Sequence, residues 1–322
     1  MDRIETLKEK VLAGGSMTRG EACSLLTAEL DPLCAAADTI RRHFCGNTCD
    51  LCSIINGKSG RCPEDCRYCA QSAHYAAPAE EYPLLGSEPI VKEAQYNHAK
   101  GVGRFAVVTS GRRLTDAELD SVCASYRQVG ERCGISLCAS HGLLSAEQLV
   151  RLRQAGVTRY HNNLETSRRF FPHICTTHTY DDKLRTIRAA QEAGLQVCSG
   201  GIFGLGETWE DRIDMALELR KLGVRSVPLN LLNPIPGTPL AQQERLTEAD
   251  MCRAVAIYRF LLPRAALRLA GGRGLLADQG RAVFLSGANA AITGDMLTTA
   301  GVSIDSDRRM LHELGFEVTR VG

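Results

Sequence analysis

The sequence predicts a (β/α)8 barrel of the TIM type, with residues 1–45 as a helical extension and residues 46–322 as the barrel domain. Three observations support this prediction. Helix-like stretches repeatedly end at a glycine that is followed at once by an aliphatic or β-branched run, as when a helix leads into a buried parallel strand. The repeats give about eight strands. No linker, charge block or low-complexity segment divides the chain.

The elements follow one another in a regular order. The N-terminal stretch MDRIETLKEKVLAGG has helical spacing and no unbroken apolar core, so we expect neither a signal peptide nor a membrane span. LCSII is the first strand, and five glycine junctions follow it: KGVGRFAVV, CGISLCAS, AGVTRYHNN, AGLQVCSGG and LGVRSVPLN. Intervening stretches such as TDAELDSVCASYRQV begin with Ser, Thr or acidic residues and carry apolar positions three and four apart, as amphipathic helices do. ALRLAGG and AVFLSG supply the last strands.

Composition limits the classes of partner. At 322 residues and 44% hydrophobic content the chain can bury a full core. Its 38 Lys and Arg residues against 37 Asp and Glu leave no basic surplus, so we expect no nucleic-acid or membrane partner. The expected location is the cytoplasm, where fourteen cysteines are thiols or metal ligands rather than disulfides.

The strongest signal is a cysteine-rich segment, FCGNTCDLCSIINGKSGRCPEDCRYCAQSAHY. It holds two Cys-x3-Cys-x2-Cys triplets, which are Cys45, Cys49 and Cys52, then Cys62, Cys66 and Cys69. Three thiolates on a loop can bind three irons of a cubane 4Fe-4S cluster and leave the fourth iron open. A structural zinc site is the alternative for the second triplet, but zinc prefers four ligands, usually from paired cysteine knuckles or with histidine.

The second triplet, CPEDCRYC with Tyr68 before the last cysteine, resembles the radical SAM superfamily, in which the open iron binds S-adenosylmethionine (SAM). Five stretches in chain order are similar to the biotin synthase family: CPEDCRYCAQS, YHNNLETS, VCSGGIFGLGET, VPLNLLNPIPGTPL and LRLAGGRG. The resemblance covers roughly residues 50–315. It implies sulfur insertion into dethiobiotin, with dethiobiotin and an electron donor such as flavodoxin or ferredoxin as partners, and a homodimer.

The resemblance also implies site residues. Cys62, Cys66 and Cys69 hold the SAM cluster, and Asn163 and Glu165 hold the SAM ribose. The implied cofactor-binding set is Tyr68, Asn163, Glu165, Gly200, Gly201 and Glu207, in which the glycines let the backbone approach SAM; a glycine-rich turn at a strand end is otherwise structural. The family usually has Asp at the position of Glu165.

For dethiobiotin, the resemblance implies Asn163 and Asn230 at the ureido ring and Arg104, Thr298 and Thr299 at the carboxylate. An asparagine can donate to a urea oxygen and accept from its N–H groups. His161 stands where the family often has asparagine. The alternatives are a helix N-terminus for the two threonines and a surface ion pair for Arg104.

The implied mechanism is homolytic: an electron from the 4Fe-4S cluster cleaves SAM, and the 5′-deoxyadenosyl radical removes hydrogen from an unactivated carbon. Sulfur comes from a second, sacrificial cluster, commonly 2Fe-2S on three cysteines and an arginine. The family motifs place Cys138, Cys198 and Arg268 on three of these positions, and Ala106 on the fourth. Cys62, Cys66, Cys69 and Cys198 are therefore the candidate catalytic residues.

Barrel geometry suggests where the missing ligand comes from. If LCSII is strand one, then Cys52, Cys138, Cys198 and Arg268 lie on strands one, three, five and seven, whose inward side chains share layers. We expect Cys52 to replace the ligand lost at Ala106, with Cys45 favoured over Cys49 as a fourth. Four thiolates favour an auxiliary 4Fe-4S cluster and predict about eight irons per chain.

Several alternatives stay open. Cys45 and Cys49 are spare thiols if the auxiliary cluster is smaller, and five further cysteines on predicted helices are small buried residues: Cys23, Cys34, Cys123, Cys133 and Cys252. The chain could also be a radical SAM mutase or maturase with another substrate, although Cys138, Cys198 and Arg268 together argue against it. The most distant alternative is a non-catalytic zinc or iron–sulfur scaffold.

Overall fold

The computed structural model describes residues 3–294, 296 and 301–319 of the chain. Its centre is a closed barrel of parallel strands, in which β9 pairs with β1. The strands are β1 (Thr48–Lys58), β2 (Arg104–Thr109), β3 (Ser136–Ser140), β4 (Val157–His161), β5 (Gln196–Cys198), β6 (Gly201–Phe203), β7 (Ser226–Leu231), β8 (Ala266–Leu269), β9 (Ala290–Ile292) and β10 (Glu317–Val318). β5 and β6 form the fifth barrel strand, which breaks at two residues, and β10 pairs with the start of β1 outside the barrel. The predicted (β/α)8 barrel is confirmed, but its last strand is β9 rather than AVFLSG, which begins in a short helix, Arg281–Leu285.

Helices surround this barrel and precede it. They are α1 (Arg3–Leu12), α2 (Arg19–Cys23), α3 (Leu30–Cys45), α4 (Ser87–Ala99), α5 (Asp116–Arg132), α6 (Ala146–Gln154), α7 (Tyr180–Glu192), α8 (Trp209–Lys221), α9 (Glu248–Leu261), α10 (Arg281–Leu285) and α11 (Ile304–Glu313). Short 3-10 helices span Phe171–His173 and Arg273–Leu275. Within the described part of the chain, no helix is both long and apolar enough to cross a membrane.

The first three helices precede the barrel. Helix α3 packs against α9, so the apolar faces of this segment join the same hydrophobic core as the barrel helices. The division of the chain after residue 45 stays a prediction, although α3 ends at that residue.

Local sequence signals explain where the helices start and stop. A capping box, in which a Thr or Ser side chain accepts from the third helical N–H, starts each of the helices α2, α5, α6, α7, α8 and α9. Each such cap stabilises its helix by about 1 kcal/mol. At the αβ junctions Gly101, Gly156, Gly194 and Gly223 adopt positive φ, as predicted. Gly134 does not, because α5 already ends at an extended Cys133.

A buried ion pair fixes the C-terminal helix to the end of the barrel. The guanidinium nitrogens of Arg273 lie 2.6 Å from both carboxylate oxygens of Asp307 in α11, and the two side chains are 1% and 0% exposed. Arg273 also donates to the carbonyl of Ile292 at the end of β9. The pair therefore holds α11, the turn after β8 and the last barrel strand together.

We predict that Asp307→Asn lowers the free energy of unfolding by about 3–5 kcal/mol, because the substitution leaves the Arg273 charge buried without a counter-ion. Urea unfolding of the cluster-free chain under reducing conditions measures this loss. Asp305→Asn is the matched control in the same helical turn. Its partner, Lys100, forms an exposed pair, so its loss costs about 1 kcal/mol or less. Equal effects of the two substitutions would contradict a structural role for the buried pair.

Candidate active site at the carboxyl ends of the barrel strands

A cavity of about 410 Å³ lies inside the barrel and extends to the carboxyl ends of its strands. Its wall includes two cysteines of the second triplet, Cys62 and Cys69, which lie on the loop after β1. It also includes three cysteines of the barrel strands, Cys52, Cys138 and Cys198. A larger groove of about 1340 Å³ lies on the outer surface, but its lining is mostly polar or charged and contains no cysteine. The inner cavity therefore contains the chemistry predicted from the sequence, as expected at this end of a TIM barrel.

Four inward side chains form the deep part of the cavity wall. Cys52, Cys138, Cys198 and Arg268 come from the first, third, fifth and seventh barrel strands, and all four are buried. The position beside Cys138 on the second strand is Ala106, which has no ligand atom to offer. Ser226 donates a hydrogen bond to the Cys198 sulfur at 3.2 Å. The structure thus brings together the three strand thiols predicted for the auxiliary cluster.

Near these thiols, buried positive charges outnumber buried negative charges. Asp50 accepts from Arg268 at 2.5 Å and lies 3.8 Å from Arg159. Arg104 is also buried there, and its Nε atom has no hydrogen-bond partner. Three buried guanidiniums therefore share one carboxylate, which leaves an excess of positive charge. An anionic, thiolate-bound iron–sulfur cluster would offset that excess, so the residues present fit such a group.

The pKa values reflect this burial. Burial raises the pKa of Cys138 to about 12, and burial also raises the pKa of Cys52. Burial lowers the pKa of Arg104, and the neighbouring Arg159 lowers it further. Burial opposes the charge on Arg268, but Cys52 and Asp50 raise its pKa overall. Burial therefore favours the neutral thiol at Cys52 and Cys138, and a bound metal would replace their protons.

The second cysteine triplet lies on an ordered loop above this layer. The N–H of Cys62 donates to the carbonyl of Gln71, and the N–H of Cys69 donates to the carbonyl of Cys66, each at 2.9 Å. Cys62 and Cys69 line the cavity. Three thiols on one loop beside a cavity fit a cubane with one open iron.

Cys66 has neighbours that the sequence did not suggest. Its sulfur lies 3.8 Å from the sulfur of Cys175, which in turn contacts His178. Neither Cys175 nor His178 is predicted above as a site residue. The Cys-x2-His spacing of ICTTHTY, which is compatible with metal ligation, was the available signal.

A hydrogen-bonded row of side chains crosses the ends of β3, β4 and β5. The side-chain oxygen of Asn163 accepts from the Gly200 N–H at 3.0 Å. Because this oxygen can only accept, His161 Nε2 donates to it at 2.9 Å. His161 Nδ1 therefore accepts from the Ser140 hydroxyl at 3.0 Å. Burial lowers the pKa of His161 to about 4, consistent with this neutral form. The second side-chain group of Asn163, its NH2, faces Glu165 at 3.3 Å.

Glu165 is held in an uncommon conformation next to Tyr68. Its φ is +70°, a region that residues other than glycine adopt at some cost. Burial raises the pKa of Glu165, whereas Lys183 and hydrogen bonds from Tyr68 and Asn163 favour its charged form. Glu165 and Tyr68 both line the cavity. This carboxylate is available there as an acceptor.

The glycine-rich stretch packs closely against neighbouring backbone, and its approach to SAM stays a prediction. A Cβ at Gly200 would lie 1.9 Å from the carbonyl oxygen of Pro228, and one at Gly201 would lie 2.3 Å from that of Glu165. Side chains are excluded at these positions by the neighbouring backbone. Gly200 still takes part in the site, since its N–H orients Asn163.

Glu207 does not reach the cavity, and its predicted cofactor contact is wrong in this structure. Its carboxylate accepts from the N–H of Gly204 at 2.9 Å and from Arg212 Nε at 2.6 Å. Arg212 is buried and stacks on Trp209 at 4.2 Å. Glu207 therefore closes the glycine-rich turn against α8.

The predicted substrate residues divide into three groups. Asn230 lines the cavity, where it donates to the Gly201 carbonyl and accepts from the Gly271 N–H, each at 2.9 Å. Arg104 lies below the cavity, because Ala106 is the lowest residue of β2 in its lining; the prediction that Arg104 contacts a substrate carboxylate is corrected. Thr298 and Thr299 lie outside the described residues.

The structure does not bring Cys45 to the auxiliary layer, which corrects its prediction as a fourth ligand. Cys45 ends α3 outside the barrel, with its sulfur 3.4 Å from Arg259 and 3.6 Å from the carbonyl of Pro263. Cys49 lies on β1, three residues before Cys52, and packs into the hydrophobic core. Alternation along the strand places Cys49 on the opposite face from Cys52.

Comparisons with known proteins show the family and the fold. Profiles of the Radical SAM superfamily and of the Biotin and Thiamin Synthesis associated domain match residues 58–219 and 228–317. The chain is 59% identical over 318 residues to biotin synthase from Akkermansia muciniphila, with 99% of each chain covered. It is 56% identical to biotin synthase from Clostridium botulinum, over 99% of this chain and 100% of that one. The crystal structure of methylornithine synthase (PylB) superimposes with a TM-score of 0.84 at 20% identity, covering 98% of this chain and 97% of that one, and shows the shared fold.

Proposed function

The chain belongs to the biotin synthase family of radical SAM enzymes, and we propose that its inner cavity joins a SAM cluster on Cys62, Cys66 and Cys69 to an auxiliary iron–sulfur cluster on Cys52, Cys138 and Cys198. The reaction is radical insertion of sulfur into dethiobiotin to form biotin. The observation that supports this arrangement is that thiols of both sets line one cavity of about 410 Å³. A substrate in that cavity lies between the two groups.

When bound, the SAM cluster and SAM supply a radical that takes hydrogen from an unactivated carbon, and the auxiliary cluster supplies the sulfur. The chain's own residues bind and orient the reactants. Glu165 accepts hydrogen bonds from the SAM ribose. Asn163 keeps one N–H free, because only one of its two N–H groups has a partner among the described residues, which is Glu165. This free N–H serves the ribose or the ureido oxygen of dethiobiotin.

The ureido end of dethiobiotin lies near His161 and Asn230. Both side chains line the cavity and are held by neighbouring strands, so they present fixed hydrogen-bonding groups. The carboxylate end points away from Arg104, which lies among the thiols instead. A role for Thr298 and Thr299 at that carboxylate stays a prediction from the sequence.

The auxiliary cluster is of the 4Fe-4S type, with three thiolate ligands and one iron without a protein thiolate. Support comes from Arg268, whose terminal nitrogens already donate to Asp50 and to the Ala291 carbonyl. An arginine so occupied balances charge rather than binding iron. About eight irons per chain are still expected after reconstitution, four for each cluster.

The remaining assignments stay predictions from the sequence. They are a cytoplasmic location, a homodimer, and flavodoxin or ferredoxin as the electron donor. The number of cysteines supports a reducing compartment.

We predict that Cys66→Ala reduces SAM cleavage to background, because two thiolates cannot hold a cubane with its open iron in a defined place. The measurement is 5′-deoxyadenosine formed anaerobically with SAM and dithionite. Cys123→Ala, which removes a cysteine from helix α5, is the control and should cleave SAM normally. Undiminished 5′-deoxyadenosine from the Cys66 variant would refute the SAM-cluster assignment.

We predict that Cys52→Ala keeps the SAM cluster and 5′-deoxyadenosine formation but loses the auxiliary cluster and all biotin. Mössbauer spectroscopy and iron analysis measure the clusters, and mass spectrometry measures biotin made from dethiobiotin. Cys49→Ala is a matched control on the opposite face of the same strand, and it should keep both clusters. If the Cys52 variant retained both clusters, Cys52 would not be a ligand.

A further inference from the structure

Next to the SAM-cluster loop lies a group of three potential metal ligands, Cys66, Cys175 and His178. Cys66 belongs to the loop, while Cys175 and His178 follow the 3-10 helix Phe171–His173. Cys175 and His178 are 3% and 6% exposed. Of the three, the proposed function uses only Cys66.

The spacing of the three ligand atoms matches that of a tetrahedral metal ion. The sulfurs of Cys66 and Cys175 lie 3.8 Å apart, and the Cys175 sulfur lies 3.8 Å from His178 Nε2. The two sulfurs and a ring nitrogen of His178 all lie within 4.8 Å of one another. Zinc–sulfur bonds of about 2.3 Å place two thiolates of a tetrahedral ion about 3.8 Å apart. The three ligand atoms therefore need little movement to surround one cation.

A carboxylate orients the histidine for this role. His178 Nδ1 makes a short hydrogen bond to Glu64 Oε2, which also accepts from the Thr177 hydroxyl at 2.8 Å. With Nδ1 held by Glu64, Nε2 is the nitrogen left to bind a metal. A carboxylate that holds the second nitrogen of a metal-binding histidine is a recurring feature of metal sites.

Backbone contacts fix the two segments against each other. The carboxylate of Asp65 accepts from the N–H groups of Thr176 and Thr177 at 2.8 and 3.1 Å, and the N–H of Arg67 donates to the Ile174 carbonyl at 2.9 Å. Because Asp65 and Arg67 flank Cys66, these contacts hold its sulfur beside Cys175. The three ligands are therefore preorganised although Cys66 lies more than a hundred residues before the other two.

We propose that, in the chain without its SAM cluster, Cys66, Cys175 and His178 bind one thiophilic divalent cation, Zn²⁺ or Fe²⁺, with water or a carboxylate as the fourth ligand. Binding forms two metal–thiolate bonds and one bond to His178 Nε2, and releases the two thiol protons to solvent. The proposal rests on the proposed function in one respect, namely that Cys66 is also a SAM-cluster ligand. Cation binding at this site and assembly of the SAM cluster therefore exclude each other.

Co²⁺ is the probe, added anaerobically to the full-length, cluster-free, reduced chain. Tetrahedral Co²⁺ bound to thiolates gives visible d–d absorption and a thiolate charge-transfer band. We expect Cys175→Ser and His178→Gln each to remove one equivalent of this signal relative to the unchanged chain. Glu64→Gln should weaken the affinity about 10- to 100-fold, because it keeps the three metal ligands and alters the hydrogen bond that orients His178.

Cys69→Ser is the matched control, since it removes a cluster ligand of the same loop that is not part of the proposed site. It should lose the SAM cluster but keep the Co²⁺ signal, whereas Cys175→Ser should keep the SAM cluster and lose that signal. Co²⁺ bound by the strand thiols contributes equally to the absorption of each variant, so it cancels when that spectrum is subtracted from the spectrum of the unchanged chain. Circular dichroism melting curves establish that each variant is folded.

Displacement of Co²⁺ by Zn²⁺ or by Fe²⁺ then shows which of these two cations binds the site more tightly. One equivalent of Zn²⁺ should slow the growth of cluster absorbance during reconstitution of the unchanged chain, but not of Cys175→Ser. The proposal is overturned if Cys175→Ser retains the full Co²⁺ signal, or if mass spectrometry finds a Cys66–Cys175 disulfide and no bound metal under reducing conditions. 5′-Deoxyadenosine and biotin formation test the proposed function separately, so the two can fail independently.

Discussion

The ion pair between Asp50 and Arg268 is the constraint on which the barrel interior depends. A buried arginine is tolerated only with a counter-charge, and Asp50 must serve both Arg268 and the more distant Arg159. Arg104 adds a third positive charge without a carboxylate of its own. The interior is thus adapted to a further anionic group. Three strand thiols at the same depth provide the ligands for one.

The two cysteine sets are held in different ways, and this difference suits their different tasks. Cys52, Cys138 and Cys198 are fixed by the strands of a closed barrel, so a cluster bound by them would have a defined position relative to the cavity. Cys66 lies on a loop whose conformation depends on side-chain contacts to a distant segment. A loop thiol can change partners, whereas a thiol on a barrel strand cannot do so without breaking strand pairing.

The cavity mouth shows how strand ends can build a polar site without exposing backbone groups. Asn163, Asn230 and His161 each satisfy a backbone group or a neighbouring side chain and still face the cavity. The glycines of the same region allow this, because the adjacent strand leaves no room for a side chain at Gly200. The positive φ of Glu165 belongs to the same compact arrangement.

The sequence by itself determined the barrel, the SAM-cluster loop and the strand thiols, because glycine junctions, helix caps and cysteine spacing act locally and strand alternation fixes which side chains face inward. Only the tertiary structure decided which long side chains reach the cavity. Arg104 and Glu207 carry the expected chemistry, but Arg104 donates to the Thr158 hydroxyl and Glu207 pairs with Arg212. Cys45 ends a helix outside the barrel. Cys175 and His178 meet Cys66 only through the fold, since contacts between residues so far apart in the chain depend on how the loops pack.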